Sequence, residues 1–94
     1  LKLTIHKFEL RRIGEPTILR LPPGAMATRI DLQDGRPHAW VLLDADAGYT
    51  VDYDFLIVRT GWSIPPGYWL VNTFLDGPHA LHGLSRILPD EVKA

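Results

Sequence analysis

Cysteine is missing from this chain. Its absence excludes disulfide scaffolds, thiolate chemistry and Cys-ligated zinc, and it fits a reducing, cytoplasmic setting. Serine occurs only as Ser63 and Ser85, and neither lies in a Gly-x-Ser-x-Gly elbow. Long apolar runs are lacking as well. No window approaches the ~18 apolar residues of a membrane span. The opening stretch is broken by Lys2, His6, Lys7 and Glu9, so it has no signal-peptide core. A phosphate-cradling glycine loop is also absent: Gly61 and Gly67 are separated by Pro65-Pro66, which stiffens the segment and removes amide donors. Nor is there an excess of positive charge. The net charge of −1 argues against a nucleic-acid binder held by broad electrostatics.

What remains is the composition of an ordinary folded domain, 46% hydrophobic and 22% charged over 94 residues. That length accommodates one domain, residues 1–94, with one core. Charge is uneven along it, since residues 1–36 sum to +3 and residues 37–94 to −4. Folding intermixes the halves, so the bland reading is solvated strand faces.

Eight glycines and eight prolines punctuate the chain at intervals too short for most helices. This is the spacing of an all-β protein, a compact antiparallel β-sandwich or small barrel of about six to seven strands. The first strand covers Lys2–Leu10, with an expected bulge near His6 where the inward set changes from Leu3 and Ile5 to Phe8 and Leu10. The second is Thr17–Leu21. A third alternates, with Met26, Thr28, Ile30 and Leu32 on one face. Asp34-Gly35 supplies a tight turn, and the return through Ala39–Leu43 is apolar on both faces, as in a central strand. Trp40, on that strand, is the expected core anchor. A fifth strand places Val51, Tyr53, Phe55 and Ile57 on one face and Asp52 and Asp54 on the other, and a sixth runs Tyr68–Leu75. Residues 78–88 admit either a strand or a short helix.

Several segments resemble a family of small uncharacterised proteins common in phages, prophages and actinobacterial genomes. They are Ile5-His6-Lys7-Phe8, the Leu21-Pro22-Pro23-Gly24-Ala25 turn, Gln33–Trp40 followed by Asp44, Thr60-Gly61 with Ile64-Pro65, and Tyr68–Phe74 with His82. Family members often carry Gly-Thr-Gly-His where this chain has Arg59-Thr60-Gly61-Trp62. The resemblance implies a closed β-domain without established activity and tips the last segment toward a strand.

Chemistry-bearing constellations are weak. His79-x-x-His82 would share a face only on a helix. Asp44-x-Asp46-x-Gly48 opens like a calcium loop but lacks the turn glycine and the closing glutamate, so no metal or cofactor is expected. The acidic group Asp44, Asp46, Asp52 and Asp54 reads as solvated. The informative stretch is Gly61–Trp69, where two of the three tryptophans fall within a proline-stiffened loop. Large rigid aromatics of this kind serve binding surfaces. The expected site is therefore Arg59, Trp62, Tyr68 and Trp69. The expected protein is non-enzymatic and self-associating, and it binds a host protein or a small ligand inside the host cell. A virion decoration component is the alternative, and a small enzyme is a third.

Overall fold

A computed structural model describes residues 1–89. Seven strands follow one another: β1 (Leu3–Glu9), β2 (Thr17–Leu21), β3 (Met26–Gln33), β4 (Arg36–Asp44), β5 (Val51–Arg59), β6 (Trp69–Asp76) and β7 (His79–Ile87). No helix occurs among the described residues. Residues 78–88 thus resolve to a strand, pinned between β5 and β6. All pairings are antiparallel and form two sheets, β1-β4-β3 and β2-β5-β7-β6, which stack as an open sandwich.

Local chemistry explains the frame. Asp34 and Gly35 both adopt positive φ (54° and 77°), the geometry of a two-residue hairpin turn, and they join β3 to β4 directly. β4 is the middle strand of its sheet, as its doubly apolar pattern requires. Its Ala39, Val41 and Leu43 face Ile30 and, from the other sheet, Tyr53, Phe55, Ile57, Phe74 and Leu81.

Two bulges shift the pattern. On β3 the register slips between Ala27 and Arg29, so Ala27 and Ile30 point inward while Thr28 is left unpaired and bonds the Trp40 carbonyl. The expected alternation through Thr28 is broken there. On β6 the slip falls between Leu70 and Asn72. The bulge expected near His6 is absent, since β1 pairs with β4 without interruption from Leu3 to Glu9. Phe8 packs against the core, whereas Leu3 and Ile5 lie exposed on the outer face.

Trp40 is not a core anchor. Val41 and Ala39 on either side of it point inward, so the indole lies half-buried on the outer face of the β1-β4-β3 sheet, 6.1 Å from the His38 ring. A strand apolar on both faces identifies a sheet centre without saying which face is covered.

The two sheets are tied at one edge by a side chain. Asn72 accepts from the Ile30 amide through Oδ1 and donates to the Ile30 carbonyl through Nδ2, both at 2.9 Å. This bridge from β6 supplies the edge strand β3 with the partner that a further strand would provide.

Candidate functional site

β5 ends at Arg59, and the chain reverses through Thr60 and Gly61. Gly61 has φ 90°, and the Trp62 amide donates to the Arg59 carbonyl. Residues 62–68 then fold back over the outer face of the β2-β5-β7-β6 sheet. That face is apolar: Leu56, Val58 and Leu84 form a second small core, with Tyr68 packed against it.

A latch holds the loop down. The Asp54 side chain points to this outer face and is 2% exposed. Its Oδ2 accepts from the Tyr68 hydroxyl and from Arg86 Nε (3.0 Å). Arg86 donates a further bond to the Pro66 carbonyl, and its guanidinium stacks 4.4 Å from the Tyr68 ring centre. One buried carboxylate thus fixes the chain at and just after the Pro-Pro pair, at Tyr68 directly and at Pro66 through Arg86. Trp62 rests on Gly14, where an added Cβ would sit 3.2 Å from the indole, yet it keeps 47% of its surface exposed.

Burial raises the Tyr68 phenol, and the bond to the Asp54 carboxylate with its charge adds to this, so that its pKa is pushed up to about 12. A phenol raised in the folded state holds its proton more tightly there than in the unfolded chain. The stabilisation is therefore complete below pH ~10 and is lost as pH climbs from ~10 toward 12. The difference in tyrosinate absorbance between wild type and Tyr68→Phe is expected to titrate near pH 12. A midpoint near the ordinary value of ~10 would mean that the phenol is not tied to Asp54.

Under the loop lies a pocket of about 320 Å³, floored by Val58 and Leu84 and walled by Trp62, Ile64 and Tyr68. Arg59 and His82 contribute its polar groups. Both His82 nitrogens are engaged, Nε2 with Thr60 Oγ1 (2.8 Å) and Nδ1 with Thr73 Oγ1 (2.9 Å). The imidazole is held by two hydroxyls, so neither nitrogen is free and it serves as an oriented wall of the pocket.

Of the four residues expected from the sequence, Arg59, Trp62 and Tyr68 converge on this pocket. Trp69 does not. It opens β6 and faces the space between the sheets, alongside Ser85 and Phe55. The acidic residues also divide. Asp44 caps Lys2 and Asp46 amides, which hold its carboxyl below the usual range, while Asp54 belongs to the latch and is not solvated. Among the described residues no cluster of His, Asp and Glu side chains could hold a metal ion.

Sequence reasoning missed Asp54 and Arg86. A signal was present: Phe55-Leu56-Ile57-Val58 is apolar on both faces, so Leu56 and Val58 imply a cover over the face that Asp54 shares. A carboxylate under a cover requires partners.

A family model described as a domain of unknown function (DUF7352) matches residues 2–93, and the chain belongs to that family. No curated protein and no solved structure matches it.

Proposed function

We propose that this protein acts by binding rather than by chemistry, and that the partner-facing surface is the Arg59–Tyr68 loop. The observation that carries the reading is the latch. Trp62 and Ile64 remain about half exposed, at 47% and 51%, while the segment bearing them is tied down at Pro66 and Tyr68. Exposed aromatic and branched side chains on a pre-ordered loop lose little entropy on association, which is where interface energy concentrates. Arg59, at the end of β5, lines the pocket under this loop and the cavity on the other side of the sheet, and brings a positive charge beside the loop.

The sequence resemblance to phage and prophage proteins supports a host protein or a small ligand as the partner, and antagonism of host defence as the role. A head or tail decoration component is the alternative, and the neighbouring genes discriminate the two. Self-association has separate support. Leu3, Ile5 and Met26 lie exposed on the outer face of the smaller sheet, whose β1 edge is open.

Native mass spectrometry of the purified full chain reports stoichiometry and any co-purifying partner together. Trp62→Ala is expected to melt within a few degrees of wild type while weakening the partner complex by ~2 kcal/mol or more. Collapse of stability would make Trp62 a lid over Gly14, and an unchanged complex would move the binding surface elsewhere.

A further inference from the structure

The two sheets do not meet evenly. They are pinched at Gly83, where an added Cβ would lie 2.7 Å from the Ile30 side chain, and clamped beside it by Asn72. Both bulges, at Thr28 on β3 and Val71 on β6, occur just to one side of that clamp. Beyond them the facing residues are small: Gly24, Ala25, Ala27 and Ser85. The gap between the sheets is left unfilled there, as a cleft of about 320 Å³. That is roughly ten water volumes and the lower end of the range of small-molecule sites.

Its walls grade from dry to open. Val41, Tyr53 and Phe55 at the floor are buried, while Met26, Trp69 and Ile87 at the mouth are 61%, 46% and 50% exposed. No charged side chain lines the cleft. Besides the Tyr53 hydroxyl and the Trp69 indole N–H, the one polar side chain lining it is Ser85. It is 1% exposed, and its Oγ has no hydrogen-bond partner. A buried hydroxyl left without a partner is costly, and alanine would serve packing better. A buried, unpartnered hydroxyl at the floor of a largely apolar cleft is placed to receive a polar atom from outside the chain.

We infer that this cleft binds a small, uncharged, mostly apolar organic molecule bearing one oxygen acceptor, which Ser85 Oγ–H engages while Trp69 and Ile87 close over its apolar body. A charged ligand is excluded because nothing in the cleft would pair it. The site lies on the opposite face of the β2-β5-β7-β6 sheet from the Trp62 pocket and stands independently of it.

The test is titration of the ¹⁵N-labelled full chain with cyclohexanone, and with hexanoate as the charged counterpart, followed by NMR. Cyclohexanone is expected to shift the Ala27, Tyr53 and Ser85 amides and the Trp69 indole N–H saturably, and hexanoate to leave them in place. Ser85→Ala should fold at least as stably as wild type yet bind the ketone about fivefold more weakly, the loss of one neutral hydrogen bond. Ala27→Leu, which fills the cleft, should abolish the shifts, and Trp62→Ala should not alter them. Absence of saturable shifts at the cleft, shifts confined to the Trp62 loop, or equal ketone affinity in Ser85→Ala would each overturn the assignment.

Discussion

Gly83→Ala is expected to destabilise the protein by ~3 kcal/mol, the upper part of the range for overpacking a tight core. Gly83 shows no positive φ, so the requirement is one of space rather than backbone conformation. The new methyl would fall 2.7 Å from both Cβ and Cδ1 of Ile30. Cδ1 could swing aside, but Cβ is fixed to a backbone whose amide and carbonyl are held by Asn72. Relief therefore demands that β3 and β7 separate, which strips contact from the core around Ile30 and Leu81. Urea unfolding of the single variants and of Gly83→Ala/Ile30→Ala provides the check. Trimming Ile30 removes two of the three close atoms, so the alanine at 83 should cost distinctly less in that background. Equal costs in the two backgrounds would place the whole clash on Ile30 Cβ, whereas a cost below about 1 kcal/mol in the native background would show that the sheets are not in contact at this point.

The same residue illustrates what could and could not be read from the chain. The hairpin at Asp34-Gly35, the central position of β4 and an antiparallel plan of six to seven strands follow from turn chemistry and period-two alternation, which are local. Gly83 in the last segment weakened a helix without establishing a strand, because its reason is Ile30, far away in sequence and across the sandwich. Trp40 was misplaced for a related cause. Alternation assigns side chains to two faces, and only tertiary cover decides which of two apolar faces is inside. The Thr28 bulge inverted the expected face of residues 26–28 in the same way, since a single unpaired residue shifts the phase without leaving a composition mark. Arg59, Trp62 and Tyr68 could be grouped because one short stiff loop carries them. Trp69 was grouped with them by proximity in sequence, yet entry into β6 turns it to the other side of the sheet.

The latch offers the second large effect. Asp54→Ala is expected to cost roughly 3 kcal/mol, the low end for removing one partner of a buried, hydrogen-bonded charge pair. It takes away two charge-assisted bonds and leaves Arg86, whose side chain is only 31% exposed, facing an apolar surface. Tyr68→Phe, which removes a single bond to the carboxylate, should cost about 1.5 kcal/mol. The double variant Asp54→Ala/Arg86→Ala should lie closer to wild type than the sum of its parts, because no uncompensated charge remains. These values separate the latch from an ordinary surface ion pair, which contributes ~0–1 kcal/mol. The consequence for binding follows from the same bonds. With Asp54 gone, Tyr68 loses its tie to β5, and Arg86, which holds the Pro66 carbonyl from β7, loses its anchor, so the loop that presents Trp62 is free to leave the sheet. Chemical denaturation gives the energies, and the Trp62 indole N–H resonance reports the loop, sharp and dispersed in wild type and moved toward random-coil values in Asp54→Ala. A variant within about 0.5 kcal/mol of wild type, the range of neutral surface changes, with Trp62 unshifted, would mean that the apolar contacts of Tyr68 hold the loop without the carboxylate.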